Sequence, residues 1–212
     1  MANKESIEQG TIEFLIAEYN EISEETRRLR QEGIARLNFF ITITSSTLAV
    51  LAFLGQSKAM TGVFFQGAAI GVLVLLLFIG WDTFRFTIRR DERTDFNRRA
   101  IARIRRFFAV QDPKIQPYLT WQYHDEPMHW VTNNTSNVRF TAQYILSFIC
   151  ALIAGLISNL IGVNPTGTTI IGVVVLIASF LAAQSYAANR FRLAQIEAKE
   201  SMRFSAKQSE IP

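Results

Sequence analysis

Four long apolar stretches constrain this chain more than anything else in it: residues 37–56, 59–83, 141–163 and 168–189. Each approaches or exceeds the ~20 residues that a helix needs to cross a ~30 Å hydrocarbon core. The only charge inside any of them is Asp82, at the very end of the second. A buried helix of a water-soluble protein is rarely apolar on every face for so long, and four in one chain exclude that class. The expected fold class is therefore all-α, a polytopic membrane protein with four transmembrane helices and a helical cytoplasmic part. A content of 49% hydrophobic and 19% charged residues agrees.

Charge gives the orientation. Of the 22 Lys and Arg, five precede the first stretch, eleven lie between the second and third, five follow the fourth, and only Lys58 lies in a short connection. Basic flanks are retained on the cytoplasmic side. Both termini and the long loop are thus expected inside, in the cell inner (plasma) membrane. The expected organisation is a cytoplasmic amphipathic helix (1–36), a first transmembrane hairpin (37–84), a cytoplasmic basic helix and loop (85–140), a second hairpin (141–189), and a C-terminal helix and tail (190–212). The 36 mostly polar residues before the first stretch do not read as a cleavable signal. The sequons at Asn133 and Asn134 then face the cytoplasm and should stay unmodified. Cys150, the single cysteine, lies inside the third stretch, which excludes an intrachain disulfide and a thiolate metal cage.

Ile12, Leu15, Tyr19, Ile22, Thr26, Leu29 and Gly33 recur at alternating steps of three and four, a heptad-spaced seam. It serves either an amphipathic helix packed on the rest of the cytoplasmic part or coiled-coil contact between chains. The second helix should continue through Phe108, with Phe96, Ile101, Ile104 and Phe108 on one side. Its basic cluster is Arg85, Arg89, Arg90, Arg93, Arg98, Arg99, Arg103, Arg105 and Arg106, opposed by Asp91, Glu92 and Asp95. Asp112-Pro113 ends it, and a loop with Pro117 and Pro127 follows. Residues 5–25 hold seven Glu and no basic residue, so docking on the nine Arg of 85–106 would relieve both excesses. Exposed ion pairs are each worth only ~0 to 1 kcal/mol, so packing of Ile12, Tyr19, Phe96 and Ile104 must carry that contact. The C-terminal helix is expected to leave the membrane past Arg190 and to fray near Ser205.

Within the apolar stretches, Gly67 with Gly71 and Ala151 with Gly155 form small-xxx-small steps, and Ala178 and Ala182 add small residues to the fourth. Such steps let backbones approach where lipid gives helices no hydrophobic reason to associate. Thr42, Thr44, Ser45, Ser46 and Thr47 concentrate hydroxyls in the first stretch. They form either a helix-packing face bonded back to carbonyls one turn earlier, or the lining of a pore. Without a charge beside them, a charge-selective filter inside the bilayer is not expected, which leaves a weakly selective or hydrophobically gated pore.

Catalytic or metal chemistry needs titratable groups that converge. The best cluster is Trp121, Tyr123, His124, Asp125, Glu126, His129 and Trp130, but His124 and His129 are five apart and no HExxH pattern exists. Its aromatics suit a membrane interface. No Gly-rich phosphate loop is present, so no cofactor, metal or enzymatic activity is expected. A basic segment just inside a membrane pairs more readily with anionic lipids or acidic protein surfaces than with nucleic acid.

Residues 13–55, EFLIAEYNEISEETRRLRQEGIARLNFFITITSSTLAVLAFLG, and the second stretch ending GWDTFRF resemble the opening of RipA-type small oligomeric membrane proteins and the related SLATT domains. The run DFNRRAIARIRRFFAVQDPKIQPYLTW resembles the cytoplasmic helix, Pro-Tyr and Trp that follow the second span in the RipA type. The resemblance covers residues 13–121, and the second hairpin departs from the pattern. It implies a homo-oligomer and, for SLATT-like members, a membrane-perturbing effector role. The expected function is then a non-enzymatic homo-oligomer, a channel or pore-like membrane effector with a cytoplasmic helical cap. Thr42, Ser45 and Ser46 would line it, Gly67 and Gly71 would pack it, and the arginines would form the cap or touch lipid headgroups. The alternative is a non-conducting scaffold or accessory subunit that binds a protein partner through its cytoplasmic helices, tested by Ile104→Ser and Phe108→Ser.

Overall fold

A computed structural model describes residues 2–56, 62–126 and 136–204, with side chains from residue 9 onward. The side chain of Lys4, residues 59–61 of the second apolar stretch, Lys58, Pro127, His129, Trp130, Asn133, Asn134 and the tail from Ser205 lie outside the described residues. Helix α1 runs Ala2–Gln56, α2 Val63–Gln111, α3 Asn137–Leu160 and α4 Pro165–Glu200, with a 3-10 helix at Pro113–Tyr118. Among the described residues there is no strand. All four α-helices are long and apolar enough to cross a membrane.

The breaks have local causes. Asp112 leaves helical geometry and its Oδ1 accepts from the Lys114 N–H at 3.1 Å, capping the 3-10 helix while Pro113 blocks continuation of α2. At the end of α3, Gly162 takes φ 80°, the left-handed conformation that favours glycine. Its N–H then donates to Asn159 O and that of Val163 to Ser158 O, closing the Schellman pattern. Asn164 starts α4, its Oδ1 accepting from the Gly167 N–H at 2.7 Å ahead of Pro165 at the first helical position.

The chain divides into two compact units. The apolar unit comprises Gly33–Arg89 and Ser136–Arg190; the polar unit comprises Met1–Glu32, Arg90–Thr135 and Phe191–Pro212.

In the apolar unit, α2 buries Ala69, Leu73, Leu76, Gly80, Thr83 and Thr87, which alternate at steps of four and three as in knobs-into-holes packing. Phe40, Leu73, Leu76 and Ile149 form the core. A Cβ at Gly80 would stand 2.6 Å from Phe40 Cζ and 3.1 Å from Leu146 Cδ1, so the missing side chain is what seats the Phe40 ring. Lipid being as apolar as this core, shape fit rather than escape from water is what holds these helices together. Polar contacts add to it: buried Gln143 donates from Nε2 to Phe180 O at 2.8 Å and to Gln184 Oε1 at 3.2 Å, tying α3 to α4. Tyr144 stacks on Phe180, and Tyr186 packs against Trp81 and Phe84.

In the polar unit, α1 lies on α2 along the heptad-spaced seam. Ile12, Leu15, Tyr19, Ile22, Thr26 and Leu29 are all half-buried, whereas Phe14 and Ile16 face out. Thr26 Oγ1 accepts from Asn97 Nδ2 at 3.4 Å, and Arg93 Nε donates to Glu25 at 3.1 Å. The seam thus meets α2 at Tyr19 and Thr26. One expectation fails: Phe96 is half exposed, because at this register Asp95 and Arg99 take the inner face. Ile104 is inside as expected.

Candidate functional site

Two groups of residues carry the functional candidates, one in each unit. On the apolar unit, α1 turns Leu37, Phe40 and Thr44 inward, which leaves Thr42, Ser45 and Ser46 on the opposite, exposed face. The five hydroxyls thus do not act together. Thr44 is buried, and its Oγ1 has no hydrogen-bond partner; Ser147 Oγ on α3 is in the same condition. Thr47 is half-buried. Gly67 and Gly71 are exposed as well, because the inner face of α2 runs through Ala69, Leu73 and Leu76; a Cβ at either glycine would meet nothing within 4 Å. The tight approach of α2 to Phe40 is made at Gly80, which the sequence did not single out. Between residues 46–54 of α1 and 64–72 of α2 lies an apolar groove of about 780 Å³ lined by Ser46, Thr47, Val50, Leu54, Phe64 and Ala68, among others. The second small-residue step sits differently. A Cβ on Gly155 would meet Thr168 at 3.9 Å, and one on Gly172 would meet Ala151 O at 3.8 Å, so Ala151 and Gly155 pack α3 against α4. Ala178 and Ala182 are exposed.

The arginine cluster does not form a single basic face. In the apolar unit, Arg85 and Arg89 are exposed, and Arg89 and Arg36 flank Asp82 at 4.0 and 3.5 Å. In the polar unit, Arg90 donates to Asp91 at 2.7 Å with both side chains nearly buried. Arg93 reaches Glu25, and Arg105 Nη2 donates to Tyr19 Oη at 3.2 Å. The Arg106 guanidinium stands 4.6 Å from the Phe204 ring centroid. Arg98 is half-buried and lines a pocket beside Tyr19.

Arg99 and Arg103 finish the end of α4. Arg99 pairs with Asp95 at 3.0 Å and donates from Nη1 to Ser201 Oγ at 3.0 Å and Ala198 O at 3.4 Å. Arg103 Nη2 donates to Ser201 O at 3.0 Å. The last carbonyls of a helix lack intrahelical donors, and these guanidiniums supply them.

Asp125 completes the arrangement. It is fully buried; its Oδ2 accepts from Arg103 Nε at 2.8 Å and the Arg203 N–H at 3.0 Å, and its Oδ1 accepts from the Phe204 N–H at 2.8 Å. The Asp125 N–H donates in turn to Phe204 O at 3.2 Å. Burial alone would push the carboxyl up, but the Arg203 and Phe204 amides and the Arg103 guanidinium outweigh it and hold it below its ordinary value. Residues 201–204 are thereby clasped to α2, and α4 ends at Glu200, ahead of the expected fraying at Ser205.

The sequence placed Asp125 in an aromatic and histidine cluster but gave no sign of its partners, which lie on segments 22 and 78 residues away. Arg139, fully buried at the start of α3, and Gln143 one turn on were also missed. Arg139 stands just before the third apolar stretch and could have been noticed as a charge at its threshold. Among the described residues, no group of three or more His, Cys, Asp or Glu is placed to hold a metal ion. No family model, no curated protein and no solved structure matches the chain.

Proposed function

We propose that this protein is a homo-oligomeric multi-pass membrane protein of channel or pore-like type. Its subunits would meet through the outward faces of α1 and α2, and its polar unit would form a cytoplasmic cap. The observation that carries the reading is the outward turn of Thr42, Ser45 and Ser46 on α1 and of Gly67 and Gly71 on α2. Hydroxyls and bare glycines turned toward lipid contribute little, whereas against a second copy they permit close backbone approach and a wettable lining. The resemblance of residues 13–121 to RipA-type and SLATT proteins points the same way. Arg85 and Arg89, exposed beyond the second apolar stretch, suit contact with anionic lipid headgroups on the cytoplasmic side.

The test combines mass and conductance. In detergent, the native chain should run as a defined oligomer and Gly67→Leu/Gly71→Leu as a smaller species with unchanged helicity. In planar bilayers, Ser45→Leu/Ser46→Leu should lower unit conductance. A monomeric, electrically silent native protein would refute the reading.

A non-conducting scaffold is the second reading, favoured by Phe14, Ile16, Phe107 and Val110, large apolar side chains exposed on the polar unit. Ile104→Ser is unsuited to testing it, because Ile104 is buried and its loss would disturb the fold. Phe14→Ser with Phe107→Ser addresses the exposed surface, and a bound partner protein that is lost from that variant would favour the scaffold.

A further inference from the structure

The polar unit contains a second cavity, of about 480 Å³, whose lining includes Tyr19, Ser23, Arg98, Ile101, Arg105 and Trp121. Its walls come from α1, α2 and the segment 120–122, and among the described residues no acidic one lines it. Arg98 and Arg105 are seven residues apart on α2, two turns along one face, with Ile101 between them. Arg105 is already held in place: besides its bond to Tyr19 Oη, its guanidinium lies 5.7 Å from the Tyr19 ring centroid. That bond uses one of the five N–H donors a guanidinium offers. Trp121, at the rim, is 61% exposed, a large flat ring left uncovered outside the apolar unit. Hydroxyls of Ser23 and Thr120 and the amide of Gln122 complete the lining.

We propose that this cavity binds an organic phosphate that carries a flat ring, with the phosphate on Arg98 and Arg105 and the ring against Trp121 and Ile101. Guanidiniums are the side chains best matched to phosphate oxygens, through paired N–H donors and a charge that never titrates away. An aromatic platform adds selectivity for a planar group. The volume falls in the range of small-molecule sites. The site does not depend on whether the protein conducts or assembles, because its named walls all belong to the polar unit of one chain.

The full chain, reconstituted in phosphatidylcholine nanodiscs, tests this with four probes: AMP, ribose 5-phosphate, adenosine and inorganic phosphate. The protein has three tryptophans, so Trp81→Phe/Trp130→Phe leaves Trp121 as the only reporter. AMP should quench it saturably and bind about tenfold more tightly than ribose 5-phosphate or adenosine, each of which carries half of the recognised chemistry. Arg98→Gln and Arg105→Gln should each weaken AMP by about tenfold or more, the size expected for a charge-assisted contact. Arg98→Gln leaves the Arg105 to Tyr19 contact in place, so it remains informative if Arg105→Gln loosens the fold. By calorimetry, Trp121→Leu should reduce AMP binding to the level of ribose 5-phosphate. The inference is overturned if no probe binds saturably or if Arg98→Gln binds AMP as the native chain does. Displacement of AMP by phosphatidylglycerol added to the nanodisc would also overturn it, by assigning the arginines to a lipid headgroup; AMP binding indifferent to that lipid supports a soluble ligand.

Discussion

Replacing Asp125 with Asn should loosen residues 203 and 204 while leaving the rest of the fold intact. Asn keeps the volume but has one acceptor oxygen where the carboxylate has two. If the new NH₂ replaces Oδ1 it faces the Phe204 N–H, and if it replaces Oδ2 it faces Arg103 and the Arg203 N–H. In the milder arrangement one buried donor loses its acceptor, at about 1–3 kcal/mol, and the two remaining bonds lose the charge on their acceptor, at roughly 0.5–1.5 kcal/mol each, the Arg103 bond keeping its cationic donor. Arg103 is partly exposed, so water recovers some of that, and a net cost of about 2–4 kcal/mol follows. An opening equilibrium shifted by that amount changes by roughly 30- to 1000-fold. Amide hydrogen exchange in detergent reads it directly: the Arg203 and Phe204 amides should lose protection by such a factor, whereas Ile79, packed against the Phe40 core, should not change. Unchanged protection at residues 203 and 204, or a loss spread evenly over α2 and α3, would refute the reasoning.

The same carboxyl sets a pH window. Its folded value lies below the ordinary 3.8, so its contribution is fully present above 3.8 and is lost as pH falls through the lower folded value. Protection of Arg203 and Phe204, corrected for intrinsic exchange, should be flat from about pH 8 to 5 and fall only below about 3.8, and Asp125→Asn should abolish that step. Gly80→Ala, which forces a methyl against the buried Phe40 ring, should cost about 1–3 kcal/mol in detergent melting, whereas Gly71→Ala, with nothing within 4 Å, should be close to neutral in a monomeric variant. Gln143→Leu should lower thermal stability by about 0.6–2 kcal/mol, and adding Gln184→Leu should cost less than the two single changes together, since the two side chains bond to each other.

Some features were legible because their causes are local. A run of some twenty apolar residues dictates a helix long enough to cross a bilayer wherever the chain places it, and each of the four stretches is helical over most of its described length, the third ending at Leu160. The Asp112-Pro113 break is equally local, since a proline that follows a capping carboxylate stops a helix whatever surrounds it. The heptad-spaced seam of residues 12–29 could be read from its spacing, but the polar contacts it makes, Tyr19 with Arg105 and Thr26 with Asn97, join residues more than 70 positions apart.

Inside the apolar stretches that contrast vanishes. A helix greasy on every side carries no mark of its inner face, because lipid and protein core are equally apolar and only shape distinguishes them. Composition therefore made Gly67, Gly71 and Gly80 equivalent, and the fit of Phe40 is what put Gly80 inside and the other two outside. The arginines posed the opposite difficulty. Their charge was plain, but their partners come from distant parts of the chain: Ser201 is 102 residues from Arg99, and Asp125 is 22 from Arg103. What the sequence by itself determined was the number of long apolar helices and the stop at Asp112-Pro113, properties set within a few turns of chain. Tertiary structure alone decided which face each helix turns inward and which carboxylate or carbonyl each guanidinium meets, because packing and electrostatics act through space between segments that are far apart along the chain.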